Sequence, residues 1–253
     1  MLCEKPLVTT LSEINQILPQ VERSGRVLYT VNNWKYAPIW KRVFEVICSG
    51  ELGEIQSVSL NVHRMPNSGG GATNWRKCPD ISGGGIMVDH GWHHLYILLA
   101  IMNDLPDSVS AKMNYVETGV SVIDETVQAN MQFGDATAEL YLTWQADCRK
   151  NFGAIKGDSG ELLLKDDHIV LNICGREEHK TRFKEPLSGG SHHPEWMEVV
   201  IDDFYRCVVS GNFFNDNLRE AVNCVRLIEL SYESHTNDSK PIPVDLSLKS
   251  LTL

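Results

Sequence analysis

Four side chains able to move protons or bind a metal, Asp89, His90, His93 and His94, stand close together in the stretch 83–102, GGGIMVDHGWHHLYILLAIM. After the three glycines, Val88, Trp92, Leu95, Leu99 and Met102 recur at steps of three and four, the spacing of one helical face, and that face should be buried. Asp89 and His93 are four apart, so on a regular helix they lie one above the other on a different stripe. A carboxylate in that position can fix the tautomer of an imidazole and raise its basicity, as a general acid/base near neutral pH requires. The same pair also reads as a buried Asp and His that satisfy each other, and spacing alone leaves both readings open. Imidazole and carboxylate suit zinc or iron, but the helix puts only Asp89 with His93, and His90 with His94, on shared stripes. Three ligands do not converge without help from elsewhere, and no metal is expected.

The elements that must carry this stretch change character along the chain. Thr10 and Glu13 form a capping box, Leu11, Ile14, Leu18 and Val21 keep helical spacing, and Gly25 stops the run. Pro19 inside it should kink or shorten the helix. Residues 26–31 (RVLYTV) read as a short strand and 38–48 as a second helix, so the first fifty residues alternate strand and helix as in a parallel α/β sheet. From Glu54 onward, apolar and polar residues alternate instead: Val58, Leu60 and Val62 first, then the segments 108–117, 125–133 and 136–144. Turns at 157–160 and 166–167 join further strands, and two amphipathic helices follow, one from Pro194 to about 210 and one through Leu218, Val222, Val225 and Tyr232. The expected fold is α+β: a mixed, mostly antiparallel open sheet with helices on one face. The glycine-rich loops 68–71 and 188–191 are candidate lids at most.

Composition narrows the function classes. With 23 Lys and Arg against 33 Asp and Glu, the formal charge is −10, and no basic stripe follows a phosphate backbone, so nucleic acid is not an expected partner. The longest apolar stretch, 95–102, is too short for a bilayer and no secretory leader is visible, so a cytoplasmic protein with no membrane contact is expected. Seven widely spaced cysteines without a C-x-x-C pair fit reduced thiols. The Gly157-Asp158-Ser159-Gly160 sequence is similar to a serine-protease nucleophile loop, but it joins two strand-like segments and reads as a hairpin turn.

Five segments taken in order, Glu4-Lys5-Pro6, Asn32-Asn33-Trp34-Lys35-Tyr36, Gly50-Glu51-Leu52-Gly53-Glu54-Ile55, Asn74-Trp75-Arg76 and 83–94, resemble the glucose-fructose oxidoreductase, inositol dehydrogenase and MocA family across nearly the whole chain. The resemblance implies an NAD- or NADP-dependent oxidoreductase acting on a sugar, polyol or related alcohol. It also implies an N-terminal Rossmann domain followed by a sheet domain whose open face pairs with another subunit in a homo-dimer or homo-tetramer. Residues 1–50 would then be the C-terminal remnant of the Rossmann domain, and 51–253 the substrate and oligomerisation domain. Carried over by position, Lys5, Asp89 and His93 are the catalytic residues: His93 the base, Lys5 the hydrogen-bond donor to the substrate oxygen, and Asp89 the group that orients substrate or imidazole. Glu4, Pro6, Asn33, Trp75 and Arg76 would face the cofactor, and Lys35, Tyr36 and His94 the substrate. The family's G-x-G-x-x-G turn does not occur here; 69–71 runs on into Ala72-Thr73-Asn74 and 83–85 into Ile86-Met87-Val88. The chain is therefore expected to be truncated before the dinucleotide fingerprint, with weak or absent cofactor binding. The alternative function is a catalytically inactive sugar-binding or oligomerisation module derived from the family.

Overall fold

The computed structural model describes residues 1–66, 75–117, 122–189 and 193–245. Asn74, the loop 68–71 and residues 190–191 of the second glycine-rich loop lie outside that set. Strand β1 (Leu2–Cys3) leads to helix α1 (Leu11–Ser24), which begins as its sequence dictates. The Thr10 hydroxyl accepts from the Glu13 amide, and the Glu13 carboxylate accepts from the Thr10 amide. Gly25 ends the helix at φ 55°, a left-handed value that costs glycine little. Pro19 does not shorten the helix, which continues to Ser24. Pro19 and Asn15, whose carbonyl loses its donor, both face water, so solvent satisfies the freed group and α1 runs through.

Strand β2 (Tyr29–Thr30) is shorter than the expected 26–31, because it pairs in parallel only with the two residues of β1, Leu2 with Tyr29 and Cys3 with Thr30. A tight 3₁₀ turn (Asn33–Tyr36) and helix α2 (Pro38–Cys48), with proline at its start, complete this part.

The second part is a nine-stranded sheet. Its strands are β3 (Ile55–His63), then, after the short helix α3 (Pro79–Ser82), a π turn (Met87–Gly91) and helix α4 (Trp92–Met102), β4 (Ser108–Glu117), β5 (Val122–Phe133) and β6 (Ala136–Thr143). They continue with β7 (Lys150–Gly157), β8 (Gly160–Lys165), β9 (His168–Ile173) and β10 (His179–Arg182). Helices α5 (Pro194–Ser210) and α6 (Asp216–Thr236) precede the closing strand β11 (Ile242–Pro243). The order across the sheet is β10-β9-β8-β7-β3-β6-β5-β4-β11. Within this sheet only the β3–β6 pair is parallel among the described residues, so the sheet is mixed and mostly antiparallel, as its alternation predicts. Residues 157–160 form the hairpin turn between β7 and β8. The two outermost strands, β10 and β11, escape sequence reading because one is polar throughout and the other is two residues long.

Helices α4 and α6 cover one face of the sheet, against Val58, Leu60, Val127, Ala129, Leu140 and Leu142; the main hydrophobic core runs from Ile14 to Val244, and Val27, Tyr29, Val31 and Val200 form a smaller one. Each such side chain, once buried, contributes about 1.5–3 kcal/mol. The single buried face expected for α4 is too narrow a reading. Residues 92–98 are buried all round, because the helix lies between the sheet and α6, while Leu99 and Met102 are only half-buried. The opposite sheet face carries Ser59, Asn130, Gln132, Glu139 and Lys156 around a shallow groove of about 530 Å³. Among the described residues no helix is long and apolar enough to cross a membrane.

Candidate active site

The site is built on the glycine run. Gly83 adopts φ 75°, and a Cβ on Gly85 would fall 2.0 Å from the backbone oxygen of Asp124, so side chains are excluded at both positions. The approach is close because Asp124, on β5, clamps the segment: its carboxylate accepts from the amides of Gly85 (2.7 Å) and Met87 (2.8 Å) and from the Tyr232 hydroxyl (2.7 Å). Burial pushes the Asp124 carboxyl above its ordinary range despite these hydrogen bonds.

From this anchor the π turn turns Asp89 toward the end of β1. Lys5 Nζ donates to both the backbone oxygen and Oδ1 of Asp89, at 2.9 Å each, and Arg76 Nε stands 3.4 Å from Oδ2. His90 Nε2 is 3.8 Å from the same oxygen. Burial pushes the Asp89 carboxyl up, but Lys5, His90 and Arg76 outweigh it and hold the group well below the usual carboxylate range. Lys5 and Asp89 face a cleft of about 310 Å³ whose walls also include Glu4, Pro6, Trp75 and Arg76. The Arg76 guanidinium lies over the Trp75 ring, 4.6 Å from its centroid.

The histidines lie one layer deeper, and here the expected Asp89–His93 stack is corrected. The π turn adds a residue to the helical repeat, so Asp89 pairs with Lys5 and Arg76 while His93 turns elsewhere. His93 is 6% exposed and does not line the cleft; its Nδ1 lies 2.9 Å from the Tyr96 hydroxyl, and its ring stacks on Trp34 at 4.8 Å. Burial, followed by the positive charge of Lys5, pushes its pKa well below the ordinary histidine value. His94 Nδ1 meets the His90 carbonyl at 2.9 Å, and burial lowers its pKa to about 4. Fully buried Arg64 adds to the positive field, with its Nη1 donating to the His63 carbonyl and to Asn151 Oδ1. Among the described residues the three-ligand cluster that could hold a metal is Glu185, His193 and Glu195, not 89–94.

The remaining expected residues divide. Glu4, Pro6, Trp75 and Arg76 share the cleft with Lys5 and Asp89, whereas Asn33, Lys35, Tyr36 and His94 do not line it. Lys35 is drawn to Glu220 of α6, 3.0 Å from both carboxylate oxygens, and the Tyr36 hydroxyl donates to Asp203 of α5. The 3₁₀ turn that carries them packs against these helices, which take up their polar ends. Sequence reading missed two residues of the site. Tyr96 carries a usable signal, since it lies one helical turn beyond His93. Asp124 carries none, because its partners are 37 and more residues away in sequence.

Residues 40–163 match the family model described as GFO/IDH/MocA C-terminal domain. The D-xylose 1-dehydrogenase (NADP(+)) 2 of Haloferax volcanii is 34% identical over 249 residues, covering 92% of this chain and 70% of that enzyme. A 1,5-anhydro-D-fructose reductase from Ensifer adhaerens is 26% identical over 64% of this chain and 49% of its own length. A levoglucosan dehydrogenase solved with NADH and levoglucosan superimposes with a TM-score of 0.81 at 17% identity, over 96% of this chain and 73% of that one, a likeness of fold. The chain spans less than two thirds of the length of several curated relatives, down to 27% of a Bacillus subtilis oxidoreductase. On the match to the haloarchaeal enzyme and to the family model, the chain belongs to the glucose-fructose oxidoreductase, inositol dehydrogenase and MocA family.

Proposed function

We propose that this chain carries the substrate side of an NAD- or NADP-dependent oxidoreductase acting on a sugar, polyol or related alcohol. The observation that carries the reading is the Lys5–Asp89 ion pair on the wall of a cleft, with a neutral histidine beneath it. The relatives act on such substrates by name, D-xylose and 1,5-anhydro-D-fructose among them. Residues 1–50 form the cofactor-side unit in this reading and 51–253 the substrate and oligomerisation unit.

The residues present fit the nicotinamide end of a dinucleotide. Half-exposed Trp75 and Pro6 offer an apolar wall beside Lys5, with Glu4 and Arg76 as polar neighbours and Asn33 on the adjoining turn. When bound, the nicotinamide supplies a hydride acceptor or donor. Lys5 directs its ammonium at the substrate oxygen and stabilises the negative charge that develops there. Asp89 keeps Lys5 charged and aimed, and His93 exchanges the hydroxyl proton. Lys35, Tyr36 and His94 act behind the site in this reading, supporting the turn and helix that shape it.

A second reading is a sugar-binding or oligomerisation module without hydride transfer, which differs in making no contacts from a G-x-G-x-x-G turn to a pyrophosphate. Each lost charge-assisted hydrogen bond costs about 1.5–3 kcal/mol, so cofactor affinity falls by several orders of magnitude without that turn. The deciding experiment titrates NADH, NADPH and a panel of sugars and polyols against this chain by calorimetry. The expected result is no nicotinamide binding at micromolar cofactor, and binding of a sugar or polyol that Lys5→Met abolishes. Micromolar nicotinamide binding would overturn the affinity argument, and a panel in which Lys5→Met changes nothing would remove the site assignment.

The open sheet face is assigned to a homo-dimer or homo-tetramer contact, supported by the groove on it, which is lined by half-buried Glu139. Sedimentation at micromolar concentration should give a dimer or larger; a strict monomer would sink this assignment.

A further inference from the structure

We infer that Tyr96 is a positioning residue that holds the His93 proton on Nε2, so that Nε2 presents a hydrogen-bond donor and becomes a base only in the other tautomer, with the imidazole proton on Nδ1 and the Tyr96 hydrogen turned away from it. The argument is a count of protons. The fully buried Tyr96 oxygen accepts the backbone N–H of Trp34 at 3.1 Å and lies 2.9 Å from His93 Nδ1. A phenol has one proton to give, and the Trp34 amide can only donate. Among the described residues, His93 Nδ1 is the one acceptor left for that proton. Nδ1 therefore carries a lone pair, and the single N–H of a neutral imidazole falls on Nε2. Were the proton on Nδ1 instead, Tyr96 would accept twice and its own hydrogen would be buried without a partner, which disfavours that tautomer by about ten-fold or more.

Two further features support this. Trp34 fixes both partners at once, since its backbone holds the Tyr96 oxygen while its ring stacks on His93 at an interplanar angle of 18°. Burial and the neighbouring charges of Lys5 and Arg64 keep His93 neutral, the state to which the count applies. The adjacent histidine is set the other way: His94 Nδ1 faces the His90 carbonyl, which can only accept, so its proton lies on Nδ1.

The consequence for catalysis rests on the oxidoreductase reading above. An Nε2–H donor suits a carbonyl oxygen better than a hydroxyl that must lose its proton, so the resting site favours the carbonyl partner of the reaction.

The tautomer itself is measured without substrate or cofactor. In protein labelled with ¹⁵N-histidine, long-range ¹H–¹⁵N correlation at pH 7 to 8, with His93 assigned through His93→Gln, should show a protonated Nε2 and a bare Nδ1. In Tyr96→Phe the two nitrogens should move toward the averaged shifts of exchanging tautomers, while His168 and His179 on the far strands stay unchanged and report an intact fold. A wild-type His93 protonated on Nδ1 or already averaged would overturn the inference, and so would a Tyr96→Phe spectrum with the tautomer unmoved. If Tyr96→Phe does not fold, the wild-type spectrum alone decides. Absence of dehydrogenase activity would leave this result standing, so the two readings fail separately.

Discussion

Asp89 belongs to the glycine-led segment and Asp124 clamps that segment from β5, and their surroundings differ in kind. Asp89 sits at the cleft with 21% of its side chain exposed and is surrounded by Lys5, Arg76 and His90. Asp124 is buried, and among the described residues no cation pairs with it; two backbone amides and a phenol satisfy it. Their carboxyl pKa values move in opposite directions, down for Asp89, where charges outweigh burial, and up for Asp124, where burial outweighs hydrogen bonds. A carboxylate kept ionised by cations on a cleft wall is suited to hold a lysine charged in that cleft. One satisfied by backbone amides is suited to hold a turn.

The largest effect that bears on this contrast is expected from Asp124→Ala. Removing it leaves the Gly85 and Met87 amides and the Tyr232 hydroxyl unpartnered in a buried place, which should cost about 2–4 kcal/mol of stability in urea unfolding and loosen the whole 83–94 segment. A loss under about 1 kcal/mol would mean that the glycine run holds its shape without the clamp.

A smaller effect, distinguished by its pH dependence, is expected from Asp89→Asn. Near neutral pH it should cost about 1 kcal/mol, because the Lys5 pair is partly solvated. The folded pKa of Asp89 lies below its unfolded value, so its contribution is present above roughly pH 4 and is lost as the pH falls through the folded value. The gap between wild type and Asp89→Asn should therefore close on acidification. For Asp124 the folded pKa is raised, so its titration contributes stability at low pH that is lost as the pH rises through the folded value. Comparing wild type with Asp124→Asn should give the opposite slope. Unfolding curves for both variants from pH 7 to 3 would show this, and slopes of one sign would break the comparison.

Much of this molecule was determined locally by its sequence. The capping box at Thr10 and Glu13, the proline-led starts of α2 and α5, and the alternation of β3, β5 and β6 all depend on contacts or periodicities within a few residues, and each appears as read. Family motifs likewise pointed to Lys5, Asp89, Trp75 and Arg76, which share one cleft. Local reading failed where distant groups compete. Pro19 was expected to kink or shorten α1, and the helix runs through it with Pro19 and Asn15 both exposed. Lys35 and Tyr36 were expected at the substrate, and carboxylates on α6 and α5 drew them away. The Asp89–His93 stack followed from a regular helix, but the π turn, led in by the Asp124 clamp from β5, altered the spacing. Spacing along one helix cannot show which partner a side chain will find, because that depends on charges and hydrogen-bonding groups brought from 37 to 185 residues away, and only packing of the sheet, α5 and α6 put them within reach.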